Sequence, residues 1–145
     1  MVLLLLLLAF PGAAASDPWS RAETVDADRL ARELIEEKDP STTVVYVGVK
    51  TLYAGGHIPG AAYRGPGSTP QGLEDLRKFA SSLPKNSDLV LYCGCCPLEK
   101  CPNLRPAFQA LRGFGFARLR VLLLPTSFHV DWVEKGYPVR KGDAP

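Results

Sequence analysis

No cysteine occurs before position 93 or after position 101 of this 145-residue chain. A disulfide framework spreads its cysteines to staple distant loops, so that class of scaffold is excluded. An excess of one charge is lacking too: 17 Lys and Arg face 15 Asp and Glu, a net +2. That balance argues against a nucleic-acid partner held by a basic surface. Internal repeats are absent, and the apolar run Val2–Phe10 is too short for a bilayer, which needs roughly 20 apolar residues. With 46% hydrophobic and 22% charged residues, the chain is neither disordered nor collagen-like. Its length suits one domain with one core. What is present is a cluster of four cysteines, Cys93, Cys95, Cys96 and Cys101, and such crowding is the pattern of a chemical site or a metal site.

The apolar run leads into Pro11-Gly12 and then Ala13-Ala14-Ala15-Ser16. Small residues at −3 and −1 of a cut after Ala15 read as a secretory signal peptide over 1–15, although no Lys or Arg precedes the run. An uncleaved membrane anchor and a buried segment are the competing readings. The expectation is a secreted or periplasmic mature chain without stable membrane association. Export places the thiols where oxidation is possible.

Asp26 is placed to cap a helix over 27–37, with Leu30 and Leu34 on one face and Asp39-Pro40 beyond its end. Thr43–Val49 is a nearly continuous β-branched run, as expected of a strand buried on both faces of a parallel sheet. A turn-rich stretch, Ala54–Gly60, precedes a very short strand at Ala61–Tyr63 and a loop over 64–70. Leu73, Leu76, Ala80 and Leu83 mark a helix over 71–83, and Asp88–Tyr92 reads as the next strand. The cysteine loop follows, then a helix over 103–113 stopped by glycine, a strand at Arg118–Leu124 and a short helix near 128–135. Alternating strands and helices predict a parallel α/β sheet.

Three strings in order carry a family resemblance. They are Gly56-His57-Ile58-Pro59-Gly60-Ala61 with Tyr53 upstream, the strand Leu89–Tyr92 ending in Cys93, and Leu111–Phe116 followed by a strand, Trp132 and Gly136–Val139. Over roughly 22–140 the chain resembles the rhodanese family of sulfurtransferase domains. The resemblance implies a doubly wound α/β sheet of about five mainly parallel strands flanked by helices. It also implies a nucleophilic Cys93 that forms a persulfide, cradled by backbone amides from Gly94 onward, with Arg105 as a candidate cation for the substrate. The implied partners are a small anionic sulfur donor and a thiol or cyanide acceptor. No organic cofactor is implied, because the sulfur rides on the enzyme, and a monomer is expected.

The sequence departs from the family pattern in three places. Tyr46 and Gly48 stand where an Asp and Arg pair is usual, Ser127-Phe128 replaces a glycine pair, and the loop after Cys93 is longer. Four chemistries compete for C-x-C-C-x4-C. In sulfur transfer, Cys93 is the nucleophile and Cys95, Cys96 or Cys101 resolves or accepts the sulfur. In dithiol redox work, Cys93 and Cys96 form a C-x-x-C pair. In a non-catalytic binding module, the thiolates hold zinc or copper(I), although four ligands in so short a stretch are cramped, and no metal is assigned. In the fourth, plain disulfides tie the loop. An inactive domain kept for its surface is a further reading. His57 is expected to be a structural hydrogen bonder and His129 a surface residue. Asn103 is expected to cap the helix after the loop, Lys100 and Arg105 are the cations nearest the thiols, and Trp132 and Tyr137 are expected to pack.

Overall fold

A computed structural model describes residues 16–36 and 41–143. The expected leader and the Asp39-Pro40 helix stop lie outside the described residues. Five strands form one sheet: β1 (Thr24–Asp26), β2 (Thr42–Tyr46), β3 (Ala62–Tyr63), β4 (Asp88–Tyr92) and β5 (Leu119–Leu123). Their order is β1-β5-β4-β2-β3, and every pairing is parallel, where a mainly parallel sheet was expected. The helices are α1 (Ala27–Ile35), α2 (Lys50–Gly55), α3 (Pro70–Ser81) and α4 (Leu104–Gly113), with a π-type segment at His129–Val133.

The continuous apolar runs are explained by burial on two faces. Val45, Leu89, Leu91 and Val121 pack with Leu76 of α3 and Phe108 and Leu111 of α4. Their neighbours Val44, Tyr46, Val90, Tyr92 and Leu122 pack with Leu30 of α1, Tyr53 of α2 and Trp132. The packed body starts before position 22, because Trp19 is buried edge-on against Phe108, with ring centroids 5.5 Å apart.

Two local differences from the sequence reading affect the site. The strand at 43–49 ends at Tyr46, with Val47 still donating to Tyr92 O at 2.9 Å, and the chain then enters α2, which the sequence reading lacks. Val47 and Val49 have strand character, but Gly48 between them is a bend. Asn103 does stand at the N-cap of α4, yet its side chain makes no capping bond; that side chain is spent on the sulfurs.

The topology fixes where chemistry can occur. From β2 the chain moves outward to β3, and from β4 it moves to β5 on the opposite side. The crevice beyond the carboxyl ends of β2 and β4 is therefore the switch point where open α/β sheets bind ligands. Tyr46 is the last residue of β2, and Cys93 follows the last residue of β4.

Candidate active site

Cys93 is buried at 1% exposure, and the loop after it folds back so that the other sulfurs gather around it. Gly94, at φ +71°, allows the reversal; a Cβ there would stand 2.5 Å from Phe128 Cβ. Phe128 N–H donates to Gly94 O at 3.0 Å, which closes the Ser127-Phe128 turn over the loop. Cys93 Sγ lies 3.1 Å from Cys95 Sγ, and Cys95 Sγ lies 3.3 Å from Cys96 Sγ. The sulfurs of Cys93, Cys95 and Cys101 all lie within 4.8 Å of one another. All four cysteines are free thiols. Cys93 thus neighbours Cys95 and Cys101 rather than Cys96, so a redox pair here would join Cys93 to one of those two. Three sulfurs this close are a donor set that suits zinc or copper(I).

Hydrogen-bond donors converge on the sulfurs. Asn103, 3% exposed, donates from Nδ2 to Cys93 Sγ at 3.4 Å and to Cys95 Sγ at 3.9 Å, while its Oδ1 accepts from Ser68 N–H at 3.0 Å. The backbone N–H of Cys95 points at Cys93. The N–H groups of Asn103 and Leu104, at the start of α4, point at Cys101. The strongest part of the expected amide cradle therefore belongs to Cys101. A hydrogen bond from Cys93, with those amides, lowers the Cys101 thiol to about 6, and the same partnership with burial pushes Cys93 up. The two thiols act as one pair sharing a proton. Cys96 is pushed up to about 12, chiefly by burial.

A cleft of about 440 Å³ opens onto Cys93 and Cys95 between Tyr46, Leu52, Phe128, Val133 and Val139, with Lys141 at its edge. Cys101 lies behind, in the core contacted by α4. Arg105 does not line this cleft. Its Nη1 donates to Cys101 O at 3.2 Å and its Nη2 pairs with Asp17 at 2.6 Å, so its guanidinium holds the loop to the segment before β1. Lys100 is exposed on the helical turn Leu98–Lys100 and is also absent from the lining. His57 is buried, stacks on Tyr53 at 3.8 Å and uses Nδ1 on Tyr53 O at 2.8 Å, a structural role. His129 is exposed beside Glu134 at the cleft edge, and Trp132 is buried with Nε1 donating to Pro138 O.

No family model and no curated protein matches the chain. Solved structures do. The rhodanese-like domain of an Anabaena sp. protein is 27% identical, with a TM-score of 0.60 over 82% of this chain and 79% of that one. This chain has a rhodanese-like fold. A thiosulfate sulfurtransferase from Pseudomonas aeruginosa is 26% identical over 94% of this chain but 22% of its own length, with a TM-score of 0.56. The Escherichia coli 3-mercaptopyruvate sulfotransferase SseA shares the fold at 21% identity and a TM-score of 0.60, over 84% of this chain and 52% of that one. Cys93 stands in this rhodanese-like sheet at the end of its central strand.

The sequence reading named Cys93, Gly94, Cys95, Cys96, Cys101 and Arg105 for the site. The structure brings Cys93, Gly94 and Cys95 to the cleft, and Cys101 and Cys96 behind them. It adds Asn103, Lys141 and Phe128. Asn103 carried a signal, a polar residue two places after the last cysteine. Lys141 carried none, because the fold alone returns the chain's end to the cleft.

Proposed function

We propose that this chain is a sulfurtransferase in which Cys93 carries a sulfane sulfur from a small anionic donor to a thiol acceptor. The observation that carries this reading is the position of Cys93. It ends the central strand at the switch-point crevice, open to a cleft that has a lysine at its edge. The Cys101 thiolate, held by the α4 amides, takes the Cys93 proton. The Cys93 thiolate then attacks the outer sulfur of thiosulfate. The Cys93 S–S bond forms, the donor's S–S bond breaks, and sulfite leaves with the electron pair. An acceptor thiolate attacks the outer sulfur in turn, becomes a persulfide and returns Cys93 as a thiolate. No external oxidant or reductant is required.

Intact mass of the fully reduced protein, before and after thiosulfate and then after an acceptor thiol, tests the reading. Wild type gains one sulfur and loses it again, whereas Cys93→Ser gains none, since a serine hydroxyl is a far weaker nucleophile at neutral pH. No gain in wild type, or an equal gain in Cys93→Ser, refutes it. The 3.1 Å contact of Cys93 with Cys95 favours one second reading, a thiol–disulfide exchanger. It would show in the same spectrum, with disulfide as the oxidant, as the loss of two hydrogens.

A further inference from the structure

The rhodanese resemblance leads one to expect a charged pair at the end of β2, and this chain has Tyr46 and Gly48 there. Tyr46 Oη is a buried side-chain oxygen with no hydrogen-bond partner among the described residues. Such a group costs about 1–3 kcal/mol to bury, so its unpartnered state calls for an explanation. Its ring is held in place by Tyr92 at 5.0 Å, Tyr53 at 5.5 Å and Tyr63 at 6.2 Å between centroids. The hydroxyl therefore cannot swing out to find water without dislodging the core. Tyr46 is a lining residue of the same cleft as Cys93 and Cys95.

Gly48 shows how closely the hydroxyl and the thiol approach. A Cβ on Gly48 would stand 2.6 Å from Tyr46 Oη and 2.9 Å from Cys93 Sγ. The two atoms therefore flank one point beside Gly48, and a side chain at 48 would collide with both. A second sulfur bonded to Cys93 Sγ, about 2.05 Å away by ordinary S–S geometry, enters this neighbourhood.

We propose that the Tyr46 hydroxyl donates a hydrogen bond to the outer sulfur carried on Cys93, both in the persulfide and while that sulfur is gained or lost. This inference rests on the sulfur-transfer reading. The outer sulfur carries negative charge when it is not bonded to a second group, and a buried anion needs donors. Tyr46 is a neutral donor: burial above all, with the Cys93 sulfur beside it, pushes its pKa up, so the proton stays on the phenol. A donor fixed before the reaction stabilises developing charge without reorganisation.

Tyr46→Phe removes one unpartnered oxygen and keeps the ring, so the melting temperature stays level or rises. The expected result is ~10- to 100-fold slower sulfur transfer from thiosulfate to cyanide, the scale of one hydrogen bond to a charged acceptor. A second readout follows the phenol itself. Loading wild type with sulfur shifts the tyrosine absorption band as the hydroxyl gains an acceptor, and the same treatment of Tyr46→Phe gives no shift. Rates within twofold of wild type, or equal band shifts in both proteins, overturn the role of Tyr46. If the variant does not fold, the wild-type spectrum decides, because a loaded protein with an unshifted band refutes the bond. A wild type that gains no sulfur by mass overturns the sulfur-transfer reading, and the Tyr46 role with it. A wild type that loads normally but ignores Tyr46→Phe overturns this inference alone.

Discussion

Replacing Cys101 with serine separates the thiol that holds the charge from the thiol that faces the cleft. In wild type the Cys93–Cys101 pair loses its first proton at about 6, because Asn103 and Leu104 N–H groups and Cys93 itself favour the Cys101 thiolate. At pH 7 such a pair is ~90% ionised, whereas a lone thiol near the ordinary ~8.5 is ~3% ionised. Serine cannot hold the charge, and burial disfavours a lone Cys93 thiolate. Cys101→Ser should therefore lower the total thiolate held at positions 93 and 101 at pH 7 by ~30-fold. The assay is alkylation by iodoacetamide across pH, with the peptides that carry positions 93 and 101 quantified together by mass after reduction. The sign is fixed by the direction of the shift: reactivity falls as pH drops through about 6, where the pair takes up its proton. Cys101→Ser should move that midpoint up by two units or more. Identical midpoints in the two proteins would refute the shared-proton pair and leave Cys101 as packing.

Cys96 contacts the sulfur of Cys95 rather than that of Cys93, so Cys96→Ser should retain sulfur transfer once fully reduced. A folded but inactive Cys96→Ser would make the loop a two-thiol site. Trp19→Ala removes a buried ring from Phe108 and from the Arg105 guanidinium, 5.6 Å from its centroid, and should cost ~3 kcal/mol in a denaturant titration. An unchanged midpoint would mean that the segment before β1 does not belong to the folding unit. Amino-terminal sequencing of exported protein should read Ser16 first, and Met1 on a membrane fraction would replace secretion by anchoring.

The sheet was legible because its signal is dense. Leu89–Tyr92 is an apolar run buried on both faces, and the strand read over Asp88–Tyr92 is the one observed, to the residue. The cysteine after it was legible for the same reason, since a strand's end is a place in a fold as well as in a sequence. Helix α2 was hidden, because six residues carry too little periodicity and lie between two valines and a glycine turn. The side chain of Asn103 was misread because local rules predict a cap, and the sulfurs around it are tertiary neighbours. The Cys101 cradle was missed because loop length alone does not say which of four thiols reaches the helix start. Tyr46 stood out in the sequence as a departure, but no spacing encodes that its hydroxyl and the Cys93 sulfur flank the same point beside Gly48.

The pairing of β1 with β5 sets a condition on how the molecule is made. Thr24 lies beside Val121, so the first strand of the sheet has no neighbour until nearly the whole chain is available. Contacts between ends so distant in sequence slow folding, because a long loop must close before they contribute. β4 likewise needs β5 on one side before its burial is complete. A chain that appears amino terminus first therefore presents its cysteines to the surroundings before residues 119–123 can cover the strand that carries them. The redox conditions met during that interval, as much as those met by the finished protein, select which sulfurs enter the fold reduced.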